Sequence, residues 1–205
     1  MKILKGTQTL KGRAVEIPDC GRDDLPEFFK EMGYKVGVEI GVYSGEFTEK
    51  FCKAGLKMYA IDPWLPHRDY QRRQSKCNNL YEETKKRLEP YDCEIIRKTS
   101  ADAVKDFKDE SLDFVYIDGN HQIKYIIEDI FEWSFKIKKG GCIAGHDYFY
   151  GRPNAGCLGM NHARYAVDAY TACYDIKNYY ILGRRKPKTK DEYRDVWRSW
   201  FWIKK

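Results

Sequence analysis

Apolar positions along the 205-residue chain fall into short runs, joined by longer stretches with helical spacing. Val36 to Ile40 predicts a buried strand, Gly41 to Gly45 a turn, and Glu46 to Ala54 a helix with Phe47, Phe51 and Ala54 on one face. Upstream, Asp23 to Met32 predicts a short helix that Asp23 or Asp24 caps and Gly33 closes. Lys57 to Ile61 predicts the next strand, ending at Asp62-Pro63-Trp64, and Tyr70 to Leu88 a long polar helix that Pro90 stops. Glu94 to Arg97 reads as a third strand, Ala101 to Phe107 as a short helix, and Leu112 to Ile117 as a strongly apolar fourth strand. Ile123 to Ile137 has apolar residues at 126, 127, 130, 133 and 137, a helix face that Gly140-Gly141 should end. Cys142 to Ala144, Asp175 to Leu182 and Arg198 to Lys204 complete the predicted strands, with a helix over Asn161 to Cys173. Strands alternating with helices imply right-handed crossovers and a mostly parallel α/β sheet covered on both faces. One domain over residues 23–205 is expected, with 1–22 as an N-terminal extension.

Composition narrows the class. With 42% hydrophobic, 15% aromatic and 33% charged residues, global disorder is excluded. No apolar run approaches the roughly eighteen residues of a membrane span, and the first residues lack a signal-peptide core. A cytoplasmic protein without a membrane partner is expected. Seven cysteines without a C-x-x-C pair suit reduced thiols and exclude a zinc ribbon. The net charge of +6 is concentrated at 184–190 and 68–76, a weak bias toward anionic partners. No aromatic-basic interleaving suggests a nucleic-acid groove.

Five loops follow predicted strands and so share one rim of the sheet, where ligands of such folds bind: 39–45, 62–63, 100–102, 118–121 and 146–147. Gly41 and Gly45 allow a tight turn and close approach to the N–H groups of the following helix. Asp62, twenty-one positions beyond Gly41, stands where a carboxylate accepts ribose hydroxyls. The loop G-V-Y-S-G departs from G-x-G-x-x-G, and Glu39 would oppose a pyrophosphate. A cationic, ribose-containing cofactor fits better than a dinucleotide.

VGVEIGVYSGEFTEKF, MYAIDPW, FVYIDGNH and GGCIAGHDY together resemble a class I S-adenosylmethionine-dependent methyltransferase. More narrowly, the chain is similar to small O-methyltransferase families related to the macrocin and mycinamicin sugar methyltransferases and to cephalosporin hydroxylase-like proteins. The resemblance covers about residues 34 to 147 and extends loosely to SWFWIKK at the end. It implies a Rossmann-like seven-stranded sheet in the order 3-2-1-4-5-7-6 with strand 7 antiparallel. It also implies that Glu39, Gly41, Tyr43 and Gly45 surround the methionine moiety, that Asp62 holds the ribose, that Pro63 or Trp64 borders the adenine, and that Ser100 and Ala101 sit at its edge.

In the related sugar methyltransferases an aspartate and two later acidic residues bind magnesium, and the histidine of D-x-x-H is the base. The matching positions here are Asp118, then His146 and Asp147, and His121. His146 replaces a carboxylate, and imidazole suits softer metals than magnesium. Asp118, Asp147 and His146 are therefore the candidate ligands for Mg2+ or another divalent metal. His121 is the candidate base, with Asp118 orienting it and His146 as the second base in a metal-free site. The segment 148–162, rich in glycine and aromatic residues, reads either as a substrate-gating loop or as a plain connection.

The expected activity is methyl transfer to a hydroxyl of a small molecule or sugar. Competing readings are a hydroxylase-like metalloenzyme on the same fold, a nicotinamide-dependent oxidoreductase, and a non-catalytic nucleotide-binding module docking an anionic partner through 184–190. The acceptor and the oligomeric state have no readable code in the sequence.

Overall fold

The computed structural model describes residues 2–67, 73–150 and 161–205. Within them lie the strands β1 (Val15–Ile17), β2 (Val36–Ile40), β3 (Lys57–Ile61), β4 (Cys93–Ile96), β5 (Leu112–Ile117), β6 (Ile137–Gly145), β7 (Tyr180–Leu182) and β8 (Trp200–Ile203). The helices are α1 (Lys2–Thr9), α2 (Leu25–Glu31), α3 (Glu46–Lys53), α4 (Gln74–Leu88), α5 (Ser100–Ala103), α6 (Ile123–Lys136) and α7 (Ala163–Cys173).

The strands form one sheet in the order β1-β7-β8-β6-β5-β2-β3-β4. β8 runs antiparallel to β6 and β7, and the other pairs are parallel. Once β1 is set aside, this is the Rossmann-like order the resemblance implies. The sheet has eight strands, not seven. β1 comes from the stretch read as an extension and lies parallel to β7, with Val15 opposite Tyr180 and Ile17 opposite Leu182. It covers an edge whose N–H and C=O groups would otherwise lack partners, and it buries Ile17.

Side chains alternate across the sheet, as a two-residue period requires. Val38, Val115 and Ile143 meet Ile126, Ile130 and Trp133 of α6 on one face. Met58, Phe114 and Tyr116 meet Phe28 and Phe29 of α2 and Phe47 and Phe51 of α3 on the other. Each fully buried phenylalanine stabilises by about 1.5–3 kcal/mol, so these two layers hold the strand ends rigidly in register.

Several boundaries differ from the sequence reading. α6 ends at Lys136, ahead of the glycine pair, because Ile137 already pairs with Leu112 and is fully buried. Pairing shifts between Leu112 and Phe114, whose partner is Cys142. Gly140, at φ +78°, and Gly141, where a Cβ would lie 2.5 Å from the Asp113 carbonyl oxygen, take up that irregularity. The predicted 23–32 helix splits into a 3-10 turn over Arg22–Asp24 and α2. β7 and β8 are shorter than predicted, and α7 starts at Ala163. Most of the 148–162 segment and part of the 68–76 basic run lie outside the described residues.

Candidate active site

The chain leaves β2 at Ile40 and turns at Gly41, whose φ is +88° and whose N–H donates to the Ile61 carbonyl at 2.9 Å. A Cβ at Gly41 would lie 2.3 Å from the Asp118 carbonyl oxygen, so the loops after β2 and β5 touch backbone to backbone. Tyr43 is left-handed at φ +57°, and Gly45 at +78° starts α3. Asp62, at the end of β3, fixes this bend: its Oδ2 accepts the Tyr43 N–H at 3.1 Å and its Oδ1 the Trp64 N–H at 2.7 Å. The Tyr43 carbonyl accepts from Trp64 Nε1 at 2.8 Å and from Thr84 Oγ1 at 3.1 Å. Trp64 is buried beneath the loop against Tyr81, so it locks the turn and offers no open face.

A cavity of about 780 Å³ opens beside this bend. Of the sequence-predicted residues, Glu39, Gly41, Tyr43, Asp62, Pro63, Ser100, Ala101, Asp118 and His121 line it. Gly45, His146 and Asp147 are not part of its wall among the described residues. Glu39 is buried and accepts a hydrogen bond from the Thr48 hydroxyl. Burial pushes its pKa up to about 8 against the pull of Arg22 and Thr48, so at neutral pH it faces the cavity largely as a carboxylic acid.

Arg22, which the sequence reading did not single out, enters the cavity from the turn before α2. Its guanidinium lies 3.9 Å from the Phe47 ring centre and pairs with Asp118 Oδ2 at 3.0 Å. Burial works against its charge, but Tyr116, Asp118, Glu39 and Asp147 hold the pKa above the usual guanidinium value. Its Nε is buried without a hydrogen-bond partner. Asp129 of α6 is another cavity residue that the sequence reading did not single out; it is 6% exposed and burial raises its pKa to about 7. No local sequence signal marks Arg22. Asp129 had one, as a carboxylate within the apolar stripe formed by Ile126, Ile130 and Trp133.

The ends of β5 and β6 bring Asp118, His121 and Asp147 together, each with a ligand atom within 4.8 Å of the others. His121 Nε2 lies 2.9 Å from Asp147 Oδ2 and 3.6 Å from Asp118 Oδ1, yet it is buried without an aligned hydrogen bond. Burial disfavours the imidazolium, but the two carboxylates outweigh it and lift the pKa to about 10. Asp147 is held below the usual carboxylate range, burial being outweighed by His121 and His146. Its backbone is left-handed at φ +64°, a conformation costing about 1–3 kcal/mol that the surroundings must enforce. His146 stands beside the trio, its Nδ1 3.3 Å from Asp147 Oδ1 and 3.8 Å from Asp118 Oδ1. An unsatisfied imidazole nitrogen between two carboxylates has the chemistry of a divalent-cation site, so the donor set fits such an ion. With two carboxylates and one histidine, it differs from the two-histidine, one-carboxylate triad of non-haem iron(II) oxygenases.

Residues 38–148, more than half of the chain, match the family described as Methyltransferase domain. No curated protein matches the chain in sequence. Among solved structures, the O-methyltransferase TomG from Streptomyces achromogenes, involved in tomaymycin synthesis and in complex with SAM, is similar with a TM-score of 0.62 at 14% identity, covering 90% of this chain and 79% of that one. An O-methyltransferase from Bacillus cereus in complex with SAH has a TM-score of 0.60 at 14% identity, covering 89% and 80%. An rRNA methylase from Streptococcus thermophilus has a TM-score of 0.58 at 15% identity, covering 88% and 93%. These likenesses carry the fold, and the sequence match carries the family: the protein belongs to this methyltransferase family and has the Rossmann-like class I fold.

Proposed function

We propose that the protein transfers a methyl group from S-adenosylmethionine to a hydroxyl oxygen of a small molecule or sugar, with assistance from a divalent metal. The observation that carries this reading is the bend at Gly41–Ser44 tied to Asp62 through the 3.1 Å bond from Tyr43, both lining one large cavity. Bound there, S-adenosylmethionine supplies a methyl group made electrophilic by its sulfonium. Asp62, which accepts the Tyr43 and Trp64 N–H groups, is the carboxylate at the end of β3 placed by this reading to accept the ribose hydroxyls. Glu39, protonated at rest, ionises when an ammonium group arrives, because a neighbouring cation favours the charged form.

Asp118, His121 and Asp147 would hold the metal, which would supply Lewis-acid activation of the acceptor hydroxyl. The geometry favours His121 as a ligand over His121 as the base: with a pKa of about 10 it is already protonated at neutral pH when no metal competes for Nε2. His146, beside Asp147 but off the cavity wall, remains the second candidate base for a metal-free site. Positioning of the reactants supplies much of the acceleration.

S-adenosylmethionine carrying a labelled methyl, incubated with hydroxylated metabolites, sugars and RNA with and without magnesium, tests the reading. Label in an ether-linked methyl on a small acceptor, increased by metal, is the expected result. Label in RNA alone, or none in any acceptor, contradicts it.

A further inference from the structure

We propose that the loop between β7 and β8, residues 184–198, docks the acceptor and selects one whose sugar ring is joined to a phosphate group. The inference rests on the methyl-transfer reading above and adds to it a class of substrate and the residues that hold it.

Topology puts this loop at the site. β6 and β7 both run antiparallel to β8, so the chain leaves β7 on the same rim as it leaves β6. There the Trp197 carbonyl accepts the Asp147 N–H at 3.2 Å and the Arg198 carbonyl accepts the Tyr148 N–H at 2.9 Å. On its other flank the Tyr193 ring covers Gly21, where a Cβ would lie 2.5 Å from it, one residue before Arg22 enters the cavity. The loop therefore reaches from Asp147 to the turn that carries Arg22. It lies outside the segment that matches the methyltransferase family.

The charges of the loop have two different roles. It carries seven cations against three acids, four of the protein's net charge of +6. Arg184 and Arg198 are anchors: Arg184 pairs with Glu16 of β1 at 3.0 Å and with Glu192 at 2.9 Å, and the buried Arg198 pairs with Glu16 as well. Arg185, Lys186, Lys188, Lys190 and Arg194 are exposed and make no ion pair among the described residues. A backbone bridge between Arg184 and Arg194 brings Arg185 and Arg194 to neighbouring positions. Concentrated like charge repels itself, and an anion bound there relieves the repulsion. Guanidinium forks match the oxygens of a phosphate. Trp197, 53% exposed, meets the Phe149 ring edge to face at 4.6 Å. A tryptophan left half wet beside Asp147 offers a flat apolar face that a ring can cover. Cations for phosphate, followed along the loop by an aromatic face next to Asp147, match the order of groups in a phosphate-linked sugar whose hydroxyl is methylated.

Titration calorimetry with inorganic pyrophosphate and with uridine diphosphate glucose, in the presence of a chelator so that no metal draws the phosphates, tests the inference. The variants are Trp197→Ala and the triple reversal Arg185→Glu, Lys186→Glu, Arg194→Glu, each checked for folding by thermal unfolding and for S-adenosylhomocysteine binding. Wild type should bind both probes, and more weakly as salt is raised. The triple reversal should weaken both at least about tenfold. Trp197→Ala should weaken the sugar nucleotide about fivefold while pyrophosphate stays within about threefold. If one variant does not fold, the salt dependence and the other variant decide. Absence of pyrophosphate binding by wild type overturns the inference, as does unchanged affinity in the triple reversal or unchanged sugar-nucleotide affinity in Trp197→Ala. A single-stranded RNA oligonucleotide that binds about a hundredfold tighter than the sugar nucleotide also overturns it, by making the loop a nucleic-acid surface. Wild type that binds S-adenosylhomocysteine but neither probe loses this inference alone, whereas failure to bind S-adenosylhomocysteine removes the donor reading itself.

Discussion

The two halves of the cavity are built by different physics. Around Gly41–Ser44 and Asp62 the parts are backbone groups: one carboxylate accepts two N–H groups, and one carbonyl accepts from Trp64 and Thr84. Around Asp118, His121 and Asp147 the parts are charges from separate strands, held against one another and against Arg22. The first half is a mould whose shape exists before a ligand arrives. The second is an electrostatic arrangement in which each group's protonation depends on its neighbours. On the proposed reading, recognition and chemistry are thereby divided, and variants should separate them.

The largest effect is expected from the charged half. Replacing His121 by alanine should reduce metal-stimulated methyl transfer about tenfold or more, through the loss of a metal ligand, while S-adenosylhomocysteine affinity by calorimetry stays within about threefold. A matching loss of affinity would show that the halves are not separable. Gly41→Ala attacks their meeting point: a Cβ 2.3 Å from the Asp118 carbonyl, at φ +88°, should cost on the order of 3 kcal/mol in denaturant unfolding. An unfolding midpoint equal to wild type would mean that the two loops do not touch.

Asp129 gives a pH test. Its pKa rises from 3.8 to about 7 on folding, so its contribution is fully present below about pH 4 and is lost as pH rises through 7. Asp129→Asn should therefore gain on wild type on the order of 2 kcal/mol between pH 5 and pH 8, read as diverging thermal unfolding midpoints. Parallel curves would contradict the burial of that carboxyl. The smallest effect belongs to the moulded half: Trp64→Phe keeps the packing but removes the donor to the Tyr43 carbonyl, about 1 kcal/mol, and should weaken S-adenosylhomocysteine about fivefold.

The moulded half was readable in the sequence because its parts are local. Glycines at 41 and 45 and a carboxylate at the end of the next strand carry their meaning in spacing alone. The strands themselves were readable for the same reason, through the apolar runs that precede each loop, whereas their order was implied only by the family resemblance. What escaped depends on contacts between distant segments. β1 has three residues and is defined by the edge it covers, α1 buries only Ile3 and Gly6, and Arg22 reaches Asp118 across almost a hundred positions. The role of Trp64 also turned on burial: as an aromatic at a strand end it resembles a stacking surface, and only packing places it under the loop. The grouping of His121, rather than His146, with Asp118 and Asp147 rests on distances between the ends of β5 and β6 that spacing does not encode.

Titration calorimetry of the purified protein with S-adenosylhomocysteine, beside an Asp62→Ala variant, tests the central claim most directly. Saturable one-to-one binding by wild type, weakened about tenfold or more in Asp62→Ala, is the result predicted. Absence of binding by wild type, or equal affinity in the variant, would contradict it.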